Sequence, residues 1–256
     1  MRIFLFLSFM LSFSGIAQVP FSQAVCDVML QVKSEEGTNG LAVAYNPTAR
    51  LYYSVFAGNG AYPLEVHNLN GESIYQLEIG YDVRGMWYDP KTKSLEGITY
   101  NNEGGFVFNL NQAGEPEGSR LTDFSYGMDA QSVGVYAEKL KMVMFAQNGT
   151  VSFFKKGKAG VKKQVVLSLP GDVGIIENAP MYTGIKGFEL AFLDQNSALV
   201  HYFNGKTGSY SGSTILNIGK CAEVNEWPWG FRVSYCNNRV FIFDVLTRTW
   251  TGYKLI

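Results

Sequence analysis

The sequence predicts an all-β chain assembled from about five repeats of four short strands, and three observations predict it. The first is a recurring segment. Residues 64–69 (LEVHNL), 105–110 (GFVFNL), 150–155 (TVSFFK), 198–203 (ALVHYF) and 239–244 (RVFIFD) read as one strand met five times, and with Asn68, Asn109, Lys155, Asn204 and Asp244 aligned the spacings are 41, 46, 49 and 40 residues. The second is that every one of these segments has a β-rich run before it and another after it, with turn residues between. The third is that no stretch beyond the N-terminus carries apolar residues at helical spacing. Four short strands per unit at such a period is the pattern of propeller blades, whose sheets bury their faces against one another around an axis. A stack of β-sandwich hairpins is the alternative architecture.

Taken in order, the chain opens on Arg2 and an apolar run over residues 3–13, followed by Gly15-Ile16-Ala17. That run is too short to span a bilayer, and small residues follow where a signal peptidase reads, so residues 1–17 are expected to be a signal peptide cleaved before Gln18. A buried N-terminal helix is the other reading. The domain is then 18–256, exported to a periplasm or beyond, with no later run of membrane-spanning length. Gln23-Ala24-Val25 before Cys26 does not make a lipidation box.

Residues 27–32 read as a single strand placed before the first unit. It is positioned to join the last unit and tie the ring shut, but unit five already holds a candidate fourth strand, so closure stays open. The first strands of the units end in aromatics at Tyr45, Tyr88, Tyr136 and Tyr182, with Trp227 as the counterpart in unit five. Second strands follow at 50–57, 94–100, 140–147, 188–194 and 231–236, and fourth strands at 73–79, 120–125, 164–169, 213–218 and 251–255. Asn46-Pro47 and Asp89-Pro90 supply turns between first and second strands; Asn70-Gly71, Gly114, Gly160 and Gly208 supply those between third and fourth.

The pattern resembles the secreted β-propeller repeat proteins of NHL and YVTN type over nearly all of the domain. There is no Trp-Asp dipeptide, Asp-box or kelch double glycine, so the resemblance is one of architecture. It implies a ligand site on one ring face, where the loops entering each unit meet those between second and third strands. The entering loops carry Asp82 and Arg84, Asp129 and Gln131, Glu177 and Asn178, and Asn225 and Glu226. The other loop set carries Asn59, Asn101, Asn102, Gln147, Asn148, residues 194–196, Asn237 and Asn238. Such a rim suits a polar ligand, a peptide or Ca²⁺, although Asn and Asp also favour turns for their own backbone chemistry.

Other chemistry is sparse. A net charge of −1 without a basic stripe gives no reason to expect nucleic acid. The two histidines, His67 and His201, share one place in the third strand and read as sheet residues rather than metal ligands. No nucleophile elbow or phosphate loop occurs. In an exported chain Cys221 and Cys236 are placed to pair across a hairpin turning at Pro228-Trp229, leaving Cys26 free; two buried free thiols are the alternative. Lys155, Lys156, Lys158, Lys162 and Lys163 make a basic patch, read as a solvated blade edge, and Asn148-Gly149-Thr150 reads as a hairpin turn or a glycosylation sequon.

The leading expectation is therefore an exported, non-catalytic propeller that binds a protein, peptide or small polar ligand through one face. The alternatives are a propeller enzyme, either a Ca²⁺-dependent lactonase-like hydrolase or a glutaminyl-cyclase-like protein, and a glycan-binding lectin. Asn225-Glu226-Trp227 faintly resembles a segment of the five-bladed glutaminyl cyclases. In the lectin reading Trp87, Trp227 or Trp229 would stack on sugar faces.

Overall fold

A computed structural model describes residues 23–218 and 230–255, apart from 103, 172 and 195. The expected signal peptide, Cys221, Asn225, Glu226, Trp227 and Trp229 lie outside the described residues.

The first unit is a meander of β2 (Asn39–Asn46), β3 (Leu51–Ala57), β4 (Pro63–His67) and β5 (Ser73–Glu78). The second is β6 (Val83–Asp89), β7 (Ser94–Thr99), β8 (Gly105–Leu110) and β9 (Pro116–Thr122). The third is β10 (Val135–Ala137), β11 (Met142–Gln147), β12 (Thr150–Lys155) and β13 (Val161–Val166). The fourth is β14 (Met181–Tyr182), β15 (Leu190–Leu193), β16 (Leu199–Phe203) and β17 (Tyr210–Asn217). The last holds β18 (Val233–Cys236), β19 (Arg239–Asp244) and β20 (Thr249–Leu255), with β1 (Gln23–Gln31) outermost.

Strand chemistry follows position. β3 (LYYSVFA) is buried at every residue because both its faces are covered by neighbouring sheets, whereas outermost β13 (VKKQVV) leaves most of its side chains toward solvent. Among the described residues the core falls into five clusters, each between consecutive units. Val55, Leu95 and Phe106 meet between the first and second, and Val43, Phe243 and Trp250 between the last and first. Trp87 and Phe154, Phe153 and Phe192, and Tyr202 and Tyr253 mark the other three. An open row of five sheets would have four such interfaces. The fifth closes the ring, and the inner strands β2, β6, β10, β14 and β18 touch in that cyclic order back to β2.

Closure is made by β1. It pairs antiparallel with β20 from Ala24 opposite Leu255 to Gln31 opposite Thr249, and its start also pairs parallel with β17, Gln23 opposite Ile215. The fifth unit is therefore offset by one strand from the sequence expectation: 231–236 holds the first strand, 239–244 the second, 249–255 the third. The joint beyond β1 repeats one found elsewhere. The Gln31 N–H donates to the Gly71 carbonyl at 3.0 Å, as the Ser168 N–H donates to that of Gly208 at 2.9 Å. Both glycines have positive φ, and a Cβ on Gly71 would lie 1.7 Å from the Met29 carbonyl oxygen, so only glycine fits.

The same offset corrects the cysteines. β18 turns into β19 at Asn237-Asn238, which sets Cys236 opposite Arg239 rather than opposite Cys221. Cys236 is a free thiol, so the Cys221–Cys236 bridge is not formed, while Cys26 on β1 is disulfide-bonded. The lysine patch is also revised at two positions: Lys156 reaches from the third unit to Asp89 and Glu96 of the second, 2.8 Å from Glu96, and Lys163 donates to the Gly205 carbonyl of the fourth. No helix among the described residues is long and apolar enough to cross a membrane.

Candidate functional site

The antiparallel order brings the ends of the five inner strands to one mouth of the ring axis. Tyr45 faces Tyr52 of β3, Tyr88 faces Leu95, Tyr136 faces Val143, Tyr182 faces Leu190 and Tyr235 faces Val240. This is one register position met five times. Strand alternation sends each tyrosine toward the interface with the preceding unit, and each packs at the edge of a different core cluster. Four of the five were visible in the sequence. The fifth place belongs to Tyr235 and not to Trp227, because the last unit is offset by one strand.

These tyrosines frame an axial cavity of about 450 Å³, also lined by Trp87, Glu138, Lys139, Cys236, Asn237 and Asn238. Trp87 stacks on Tyr136 with ring centres 5.7 Å apart, and its buried indole N–H has no hydrogen-bond partner. The Tyr235 hydroxyl donates to Asn238 Oδ1 at 3.3 Å, and Lys139 Nζ donates to the Gly184 carbonyl at 2.7 Å. Burial raises the pKa of Tyr136, Tyr182 and Tyr235, helped by Asp89 at the first and by Glu189 and Glu138 at the second. Burial likewise pushes the Cys236 thiol up. The cavity wall thus presents neutral phenols and a neutral thiol, not a thiolate or phenolate.

A second cavity of about 430 Å³ adjoins the first and shares Tyr45, Asn237 and Asn238 with it. It runs between the last and first units and is lined by Arg50, Arg239, Lys254, Asp27 and Tyr52. Asn237 Nδ2 donates to the Tyr52 hydroxyl at 2.8 Å, and Arg239 binds Asp27 through two bonds of 2.8 and 2.7 Å. Asn237 and Asn238, assigned by sequence to the acidic rim, lie at this mouth instead, because they join a first strand to a second.

On the opposite rim the expected residues divide. Asp82 pairs with Arg84 at 2.5 Å and accepts the Gly58 N–H at 2.8 Å, tying a loop of the first unit to the start of the second. Arg84 is itself buried, with its guanidinium 4.5 Å from the centre of the Tyr100 ring. Glu177 makes the same kind of tie, accepting the Gly149 N–H at 2.8 Å. Asp129 accepts the Gln131 N–H at 2.8 Å within its own turn. Asp129, Gln131, Glu177 and Asn178 line one shallow cleft of about 210 Å³. Among the described residues no three His, Cys, Asp or Glu side chains gather where they would hold a metal ion.

The histidines take equivalent third-strand positions. His67 Nε2 lies 3.0 Å from Ser54 Oγ, and His201 Nε2 lies 3.2 Å from Asp194 Oδ2. Both are buried within sheets, away from the axial cavity.

No protein-family model matches the sequence, and no curated protein matches it. Among solved structures, the glutaminyl cyclase of Myxococcus xanthus superposes with a TM-score of 0.57 at 13% identity, covering 91% of this chain and 98% of that one. A nidogen/laminin complex aligns with a TM-score of 0.48 at 12% identity, over 81% of this chain and 73% of that one. At this identity the likeness to the cyclase is one of fold, and with the repeated four-stranded sheets it makes the chain a β-propeller.

Proposed function

We propose that this protein is a non-catalytic binding module whose ligand enters the axial cavity through the tyrosine mouth. The observation that carries the reading is the placement of five tyrosines, one per unit, at a single register position around one concave site. Ligand pockets are typically cavities of about 300–1,000 Å³ with aromatic walls and a few polar groups, and this one fits that description. Its neutral phenols and thiol suit recognition better than proton transfer or nucleophilic attack. The apolar run followed by Gly15-Ile16-Ala17 supports export, as does a disulfide-bonded Cys26.

A thermal-shift panel of sugars, peptides and amino acids tests the reading on the exported protein. At least one ligand class is expected to raise the melting temperature of the wild type and to lose that effect in a Tyr88→Ala/Tyr182→Ala variant that remains folded. Shifts that survive both substitutions would place binding elsewhere.

A glutaminyl-cyclase-like activity is the second reading, favoured by the shared fold and by Asn225-Glu226-Trp227. Release of ammonia from a peptide with N-terminal glutamine would establish it and displace the first.

The disulfide gives a separate expectation. The chain has three cysteines, so with Cys26 bonded and Cys236 free we take Cys221 as the partner. Non-reducing peptide mapping should link the Cys26 and Cys221 peptides and recover Cys236 alkylated only after unfolding. A linked Cys236 peptide would contradict this.

A further inference from the structure

We propose that the ligand class is an acidic oligosaccharide, with one sugar against the tyrosine mouth and a neighbouring carboxylate- or sulfate-bearing sugar in the groove between the last and first units. The proposal rests on the axial-cavity reading above and specifies its ligand.

The mouth accounts for the sugar. Tyr45, Tyr88, Tyr136 and Tyr182 line it with hydroxyls that make no hydrogen bond among the described residues, and Trp87 adds the edge of a ring stacked on Tyr136. Aromatic faces combined with uncommitted neutral donors and acceptors match a ring that presents C–H faces and hydroxyl edges. A purely apolar ligand would leave those polar groups desolvated and unpaired, which costs binding energy.

The groove accounts for the charge. The two cavities are continuous in their walls, since Tyr45, Asn237 and Asn238 line both. Arg50 and Lys254 are exposed there and engage no side-chain partner among the described residues. The groove's carboxylate, Asp27, is committed to Arg239. Glu138 and Lys139 both line the axial cavity, one charge of each sign. Two uncommitted cations beside a neutral aromatic site favour an anion held one sugar away, and the bond to it weakens with salt.

Calorimetry of the exported full chain with tetragalacturonate and with a heparin-derived tetrasaccharide tests this, with cellotetraose and inorganic polyphosphate as controls. At least one acidic sugar should bind, at least about tenfold tighter than cellotetraose, and lose affinity in high salt. Arg50→Glu/Lys254→Glu, at exposed positions that leave packing intact, should weaken it at least about tenfold without changing the melting temperature. Tyr88→Phe/Tyr182→Phe, which keeps the rings and removes two hydroxyls, should weaken it as well. Absence of heat with both acidic sugars overturns the proposal. Polyphosphate bound as tightly as the sugars and indifferent to the phenylalanine variant overturns it too, leaving only a charged patch. Tyrosine-dependent binding of cellotetraose that ignores the charge reversal overturns the acidic class while the axial-cavity reading stands.

Discussion

Trp250→Ala is expected to lower the free energy of unfolding by about 4 kcal/mol in urea denaturation, a large share of a single domain's stability. Trp250 has no exposed surface and lies where β1, β20 and β2 meet: it pairs with Leu30, packs at a tilt against Phe243 with ring centres 5.2 Å apart, and sits so close to Gly40 that a Cβ there would approach its ring to 2.7 Å. Its indole N–H has no partner, so the substitution leaves no orphaned acceptor and the loss is one of packing. Trp250 is packed among Leu30, Val43, Phe56 and Phe243 of two adjoining units, so its removal leaves a cavity between sheets. Val166→Ala is the control: that side chain is 68% exposed on an outermost strand and should change stability by less than about 0.5 kcal/mol. A Trp250 variant no less stable than the Val166 one would show that the interface between the last and first units is not what holds the ring.

Acidification should weaken the fold through His67. Burial lowers its pKa from 6.5 to about 4, against the opposing pull of the Glu65 carboxylate, so the folded protein holds the imidazole neutral. A base with a depressed folded-state pKa contributes stability in full above 6.5, and that stability is lost as the pH falls from 6.5 to about 4. Each tenfold drop in proton affinity on folding corresponds to about 1.4 kcal/mol, so the loss reaches about 3 kcal/mol at the bottom of the window. Urea titrations at stepped pH measure it, and His67→Asn should flatten the curve between those limits. A wild-type stability that does not change across the window would mean that His67 is not neutral and buried. Below pH 4 the depressed carboxyl of Asp89 adds a further loss. Burial opposes its ionisation, but Lys156 and the backbone N–H groups of its turn outweigh that, and their contribution disappears when the acid protonates.

Much of this architecture is local, and local order is legible. The second and third strands of the first four units are short runs of aromatic and β-branched residues bounded by Asn-Pro, Asp-Pro, Asn-Gly and glycine turns, and each of those strands forms near its expected place. The last unit resisted for a physical reason. Its fourth strand, β1, is more than 200 residues distant in sequence from β20, so the run at 251–255 had to be read as a fourth strand and every earlier run slid by one. A one-strand slip reverses direction and exchanges mouths. It therefore moved Asn237 and Asn238 to the wrong rim, hid Tyr235 and misplaced Cys236.

The acidic rim shows a different limit. Asp82 and Glu177 stand in corresponding loops, as the repeat required. What their oxygens do depends on which backbone N–H lies beside them, and the Gly58 and Gly149 N–H groups are supplied by the preceding unit. Loop composition carries no information about that partner.

By itself, then, the sequence determined the all-β class, the period, the tyrosines that end the first four inner strands and the sheet positions of both histidines. Apart from the period, which comes from comparing one such segment with the next, each of these depends on alternation and turn chemistry within about ten residues. The tertiary structure alone decided that the ring is closed by β1, that Cys236 is free, that five tyrosines converge on one cavity and that Arg50 and Lys254 share a groove beside it. These are contacts between strands brought together by closure around an axis, and the pairing of distant strands is settled by the packing of whole sheets rather than by any residue's local preference.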